Sequence, residues 1–205
     1  MRKIFLAFVV AFGLAGLRAG EIAQKMAESA KGAKSLYAEF TQERTLSLLE
    51  EKSLSRGWFA SDAGGRVRWQ IDEPFRSAMV ADSKGARHFE FADGKWRMLK
   101  SRQSFPVEKI VGEIRKLMTG EYSENAYSIE ERGGKIILTP SASAARKFVS
   151  EIVVTPRADF SAPETVEIKN PNGDSSLIRL VKVLPNPKNV AEAFATEPLS
   201  EYSPK

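Results

Sequence analysis

The run RVRWQIDEPFRSAMVADSKGARHFEFADGKWRML, residues 66–99, decides the fold. Val67, Trp69 and Ile71 alternate with Arg66, Arg68 and Gln70. That period of two belongs to a strand with one apolar and one polar face. Pro74 breaks the run. A second extended segment, Ser77 to Ala81, ends at Asp82-Ser83-Lys84-Gly85. A third, Arg87 to Phe91, ends at Asp93-Gly94, a pair suited to a tight hairpin, and a fourth runs from Lys95 to Leu99. Strands this close in sequence pair antiparallel, because a parallel crossover needs a dozen or more residues.

Working outward, the same period appears on both sides. Leu36, Ala38 and Phe40 alternate with Tyr37, Glu39 and Thr41, and a further run spans Leu54 to Ser61 before Asp62-Ala63-Gly64-Gly65. Downstream, Tyr127 to Glu131 turns at Gly133-Gly134 into Lys135 to Thr139. Phe148 to Thr155 follows, and Ala162 to Lys169 turns at Asn170-Pro171-Asn172-Gly173 into Ser175 to Val183. The proline-rich tail from Leu184 predicts loop, with Phe194 as a docking residue. Two segments change period. In residues 21–34 Ile22, Met26 and Ala30 lie four apart on one helical face. In residues 106–119 Val107, Ile110, Val111, Ile114, Leu117 and Met118 form an apolar stripe, with Pro106 in the first turn and Gly120 past the end. The expected fold class is mainly β (α+β). It is an open, strongly curled antiparallel half-barrel of about ten or eleven strands, with helices covering its concave face.

The N-terminus reads as an export signal. Arg2 and Lys3 precede an apolar run from Ile4 to Leu17, and Arg18-Ala19-Gly20 follows. As a helix that run reaches about 21 Å, short of the ~30 Å hydrocarbon core. The expectation is a signal peptide over residues 1–19, cut after Ala19, and a single domain over residues 20–205; the alternative is an uncleaved N-terminal anchor, because Leu17 at the third position before the cut is only moderately small. The whole chain carries 31 Lys and Arg against 26 Asp and Glu. Removing Arg2, Lys3 and Arg18 leaves 28 against 26, a net charge of +2. The basicity largely disappears, and with it the case for nucleic acid. There are no cysteines, so the chain has no disulfides, no thiolate metal site and no lipidated cysteine. The expected product is exported, without a lipid anchor.

No constellation nominates an enzyme, a metal or a cofactor. His88 and Glu90 share a strand face, but two ligands do not make a site, and no second His exists. No Gly-x-Ser-x-Gly elbow is present. Asp72 and Glu73 read as turn residues. Gly64-Gly65 and Gly133-Gly134 read as hairpin turns, because no helix start follows them. Arg66, Arg68, Arg76, Arg87, Lys95, Arg97, Lys100 and Arg102 could share a rim of the sheet. They read either as a solvated face or as a dock for an anionic membrane or a transporter.

At this point the residues resemble a known family. Leu36-Tyr37-Ala38-Glu39-Phe40-Thr41-Gln42 resembles the opening strand of the outer-membrane lipoprotein carrier protein, LolA. Gly57, Trp69 and Pro74 are similar to its next block. Val80-Ala81-Asp82-Ser83-Lys84 is similar to its Val-Ser-Asp-Gly-Lys turn, and Leu138-Thr139-Pro140-Ser141-Ala142-Ser143 to its Leu-Thr-Pro-Lys-Ala-Ser segment. The likeness runs from about residue 21 to 198. One departure stands out: where the family has an Arg-Pro pair whose Arg helps hold the lid closed, this chain has Ala63-Gly64.

The resemblance implies a soluble periplasmic carrier, monomeric and without catalysis or cofactor. It would sequester acyl chains of lipoproteins in an apolar cavity and shuttle them between the membranes. Its implied partners are acylated lipoproteins or other lipid cargo, an inner-membrane releasing transporter and an outer-membrane acceptor. The alternatives are a carrier for another lipid or glycolipid export pathway, and an envelope interaction module with a solid core. An acyl chain of sixteen carbons gains on the order of 12 kcal/mol when sheltered, at ~0.8 kcal/mol per methylene, so the cavity must be deep. The expected lining from the sheet is Phe40, Trp58, Trp69, Ile71, Met79, Phe89, Phe91, Trp96 and Met98. The lid is expected to add Val107, Ile110, Val111, Ile114, Leu117 and Met118.

Overall fold

The computed structural model describes residues 20–48, 51–99, 113, 115–196, 199 and 201–205. Its frame is one sheet of eleven antiparallel strands. Helix α1 (Glu21–Ser29) leads into β1 (Leu36–Leu46) and β2 (Glu51–Ser61). The meander read from residues 66–99 follows as β3 (Val67–Glu73), β4 (Ser77–Asp82), β5 (Gly85–Ala92) and β6 (Lys95–Met98). Residues 115–119 are helical. The second meander is β7 (Tyr127–Arg132), β8 (Lys135–Pro140), β9 (Glu151–Pro156), β10 (Pro163–Lys169) and β11 (Ser175–Pro185). A one-turn helix, α2 (Ser143–Arg146), links β8 to β9.

The spatial order is β6-β5-β4-β3-β2-β1-β11-β10-β9-β8-β7. Each meander is local, and the two are joined where the first strand meets the last. Leu36 lies opposite Pro185 and Thr45 opposite Ser175, so β1 and β11 pair along their length. The sheet is open, with β6 and β7 at its edges.

Turn chemistry fixes the hairpins. Asp93 and Gly94 have φ of 50° and 75°, and Gly133 and Gly134 have 59° and 76°. These are the left-handed values that a two-residue turn between twisted strands demands. Gly57 serves a different need. At the β2–β3 irregularity the strands approach so closely that a Cβ there would sit 1.9 Å from the Gln70 carbonyl oxygen.

Three local expectations are corrected. Residues 148–150 are not strand: the Phe148 and Val149 amides donate back to the Ala145 carbonyl, continuing the turn that follows α2. Asp72 and Glu73 are the last residues of β3, not turn residues; Gln70 donates to Asp72, and Glu73 pairs with Arg56. The tail is not all loop. β11 extends through Pro185, and Val190–Phe194 forms a 3-10 helix that buries Phe194, the expected docking residue.

Candidate lipid-binding face

The two sides of the sheet carry separate apolar clusters. On the first face Phe40, Phe59, Val67 and Met79 join Ile136, Leu138, Ile152 and Val154 from the other meander. Ile22 and Met26 of α1, together with Leu117 and Met118, pack into that same cluster. α1 buries Ile22 and Met26, two of the three residues its four-residue spacing aligned; the third, Ala30, is the C-cap and only partly buried.

The ends of α1 are held by other elements. Gly20 precedes the helix with φ of 103° and offers no side-chain cap. Glu131 of β7 does that work instead. Its two carboxylate oxygens accept the Ile22 and Ala23 amides at 3.0 and 2.9 Å. An anion there satisfies two orphan donors and complements the helix dipole. Gly120 closes the helical residues 115–119 against α1 so tightly that a Cβ would lie 2.7 Å from Met26 Cβ and 2.8 Å from the Ala23 carbonyl. Tyr122 follows: its hydroxyl donates to the Leu117 carbonyl at 3.3 Å, and burial pushes its phenol well above the usual range. Arg115 donates to the Ala33 carbonyl, tying the segment to the α1–β1 connection.

The first face is not uniformly closed. Around β8–β9 its centre is buried, with Ile136, Leu138 and Val154 at 0% exposure, while Ile168 and Val183 of β10 and β11 are partly buried. Toward β3–β5 the apolar surface continues through Trp69, Ile71, Ala81 and Ala86, which are only partly buried. Trp69 stacks on Phe40 with ring centroids 4.1 Å apart. Near the start of α1 a cleft of about 200 Å³ opens between Gly20, Ala23, Gly120, Tyr122, Glu124 and Ile129. Its volume is below the 300–1,000 Å³ of typical ligand sites.

The expected lining residues do not share one wall. Phe40, Trp69, Ile71, Met79, Leu117 and Met118 meet on the first face. Trp58 and Phe89 lie in the cluster of the opposite face, with Trp96 packed against it. Phe91 sits across from Trp96 and Met98 across from Phe89, so both belong to that side, and Met98 is 63% exposed. Alternation along a strand makes this unavoidable: Phe59 faces one side, so its neighbour Trp58 faces the other. A cavity on the first face can use only the first six. Val107, Ile110, Val111 and Ile114 lie outside the described residues.

The opposite face is covered by the C-terminal segment. Ala193, Phe194 and Leu199 are buried in a cluster with Tyr37, Trp58, Val80 and Phe89. Arg68, read from sequence as part of a basic rim, is wholly buried here at 0% exposure. Its guanidinium lies 4.7 Å from the Trp58 ring and donates to the Ala193 carbonyl at 2.9 Å and to Gln70. Burial lowers its pKa to about 10. Four other arginines of the expected rim are paired with carboxylates, and Lys95 is exposed. Arg66 pairs with Asp62, Arg76 with Glu201, Arg87 with Asp82 and Arg97 with Asp93. Lys100 and Arg102 lie outside the described residues. His88 lies across from Met79 and so turns toward the first face, where its Nε2 is buried without a hydrogen-bond partner among the described residues. Among those residues no group of three His, Cys, Asp or Glu could hold a metal ion.

Glu131, Gly120 and Tyr122 position the helices and were not singled out from sequence. Gly120 was visible as a helix stop, but its contact with α1 has no local signal. Nor does the cap from Glu131, 109 residues away from Ile22.

The sequence profile of the outer membrane lipoprotein carrier protein LolA matches residues 31–197. The chain belongs to the LolA family. No curated protein matches this LolA-family chain. Among solved structures it is similar to a DUF1329 family protein from Desulfovibrio piger, with 12% identity, TM-score 0.49, and coverage of 87% of this chain and 96% of that one. A second is a domain from Vibrio parahaemolyticus described as an outer membrane lipoprotein-sorting protein, with 13% identity, TM-score 0.47, and coverage of 88% and 97%. A third is a LolA superfamily protein from Nitrosomonas europaea, with 12% identity, TM-score 0.43, and coverage of 88% and 99%. The family assignment rests on the sequence match.

Proposed function

We propose that this LolA-family chain is a soluble periplasmic carrier that shelters the acyl chains of lipoproteins on the first face of its sheet. Residues 1–19 direct export and are removed. α1 and the 106–119 segment act as a lid over the concave side of a curled sheet. The cargo passes from an inner-membrane releasing transporter to an outer-membrane acceptor.

The observation that carries this reading is the continuity of the apolar surface on the first face. It runs from the buried cluster under α1 to the partly buried Trp69, Ile71, Ala81 and Ala86. An acyl chain can enter at that side and extend beneath α1 by displacing Ile22 and Met26, without breaking a strand pair. Each methylene so buried contributes ~0.8 kcal/mol. Met26, Met79 and Met118 on this face suit variable apolar cargo, because an unbranched thioether fills irregular gaps.

The test is uptake of a fluorescent fatty-acid probe by the purified chain. Wild type should bind it, with energy transfer from Trp69. Ile71→Glu should bind at least tenfold more weakly with an unchanged circular dichroism spectrum. A wild-type chain that takes up no probe would leave a solid-core interaction module as the better description.

A further inference from the structure

The face opposite the proposed lipid site carries a second recognition surface. Arg76 is held over Phe91 and Trp96, at 4.3 and 5.3 Å from their ring centroids. Arg68 lies beneath, over Trp58 and Trp96. These rings and guanidiniums orient one another, and Phe91 and Trp96 are a directly paired T-shaped couple across β5 and β6. The surface is therefore built by the sheet itself.

The chain's own C-terminal segment occupies it. Both Glu201 carboxylate oxygens accept from Arg76 Nη2, at 2.9 and 2.8 Å, and Trp96 Nε1 donates to the same carboxylate at 3.3 Å. The Tyr202 ring rests against Tyr37 and Trp58, with centroids 5.9 and 5.4 Å away. Leu199 is buried in the same cluster. Among the described residues the segment is attached to the strands by side chains. Among the described residues no backbone hydrogen bond joins residues 196–205 to a strand; Lys205 bonds only to the loop at Lys188 and Asn189. The preceding turn is anchored differently, by Arg68 on the Ala193 carbonyl and Arg66 over the Phe194 ring. The segment thus divides into a fixed part ending near Phe194 and a part that can leave without breaking the sheet.

We propose that this surface is a peptide-docking groove, filled in cis by Leu199, Glu201 and Tyr202. In trans it takes a segment of another protein with the same chemistry: an aliphatic residue, then an acidic residue two positions on, then an aromatic one. A bidentate guanidinium flanked by rings reads a carboxylate with geometry as well as charge. The adjacent aromatic wall reads a planar side chain. An anionic lipid surface is the poorer match, because Arg66, Arg87 and Arg97 nearby are already engaged by Asp62, Asp82 and Asp93.

The experiment uses the full chain and a fluorescein-labelled peptide with the sequence TEPLSEYSPK, that of residues 196–205. Glu201→Ala/Tyr202→Ala weakens the cis contact and should bind the peptide at least tenfold more tightly than wild type, by anisotropy. A peptide carrying Glu201→Gln should bind that variant at least tenfold more weakly, and so should the parent peptide when Arg76→Leu is added to the protein. If the double variant does not fold, the size-preserving Glu201→Gln chain replaces it. A folded variant that binds no peptide would overturn the proposal. So would dimers formed by exchange of the tail in place of peptide binding, or phosphatidylglycerol vesicles that bind the groove while the peptide does not.

Discussion

Glu131 on β7 caps the helix that opens at Glu21: its carboxylate accepts the Ile22 amide at 3.0 Å and the Ala23 amide at 2.9 Å. A single side chain of this edge strand thus accepts both amides of the first turn. Replacing Glu131 by Ala should cost about 1–2 kcal/mol, the range for loss of a good helix cap. The loss should be local. Amide exchange in residues 22–29 should accelerate while β1 and β11 keep their protection, measured by hydrogen exchange. If α1 is part of a lid, the same variant should also take up a fatty-acid probe faster. Unchanged exchange in α1 would show that Ile22 and Met26 hold the helix without the cap.

How far the sequence led differs by element. The strands of residues 66–99 were legible because alternation and turn chemistry agree at every hairpin. The pairing of β1 with β11 had no such signal, since nothing in Leu36 to Leu46 names a partner more than a hundred residues away. Trp58 shows the limit for site residues. Trp58 and Phe59 are adjacent aromatics, so one must face each side, and either choice fits the alternation. Only the register Phe59 opposite Trp69 places Phe59 on the first face and Trp58 on the other. Arg68 was misplaced for a related reason. Arg68 and Gln70 alternate with apolar residues as a solvent face would, yet Ala193, Phe194, Leu199 and Tyr202 cover that face. α2 and the 3-10 helix are too short to give a periodic signal.

Gly57 makes a sharper test of the sheet. A methyl group there would meet the Gln70 carbonyl oxygen at 1.9 Å, and its nearest neighbours are all backbone atoms of Gln70 and Ile71, with no flexible side chain to yield. Gly57→Ala should therefore destabilise by more than about 3 kcal/mol, at the severe end for point substitutions. Gly64→Ala is the control, because its Cβ would meet nothing closer than an Asp62 oxygen at 3.4 Å. Its expected effect is within about 0.5 kcal/mol. Denaturant midpoints of the two variants decide the matter.

Gly120 joins the helical residues 115–119 to α1. Its φ of 77° and the 2.7 Å approach to Met26 Cβ both exclude a larger residue. Gly120→Ala should cost about 1–3 kcal/mol, as overpacking does, lowering Tm by roughly 2–4 °C per kcal/mol for a domain of this size. Adding Met26→Gly, which removes the Cβ in that clash, should cost less in the Gly120→Ala chain than in the parent chain. A purely additive double variant would mean that backbone strain at Gly120, not contact with Met26, sets the cost.

The tyrosines give the pH prediction. The chain has four, Tyr37, Tyr122, Tyr127 and Tyr202, and in all of them burial raises the phenol above its ordinary value of 10.0. Nearby carboxylates add to it: Glu39 beside Tyr37, Glu131 beside Tyr122, Glu113 beside Tyr127 and Glu192 beside Tyr202. A raised folded-state value means that the folded chain holds more protons than the unfolded chain above pH 10. The stability these phenols contribute is full below that pH and falls as pH rises through their folded values. Arg68 acts in the opposite sense. Its value is lowered to about 10, so above that pH the folded chain binds fewer protons there and gains stability as pH rises. Four groups oppose one, so alkaline destabilisation should win. In a titration followed at the phenolate absorbance band, the folded chain should ionise little at pH 10, where half of the free tyrosine is ionised. The band should then rise together with the loss of β-sheet circular dichroism. A smooth tyrosine titration centred on pH 10 with the sheet intact would show that these phenols are open to water.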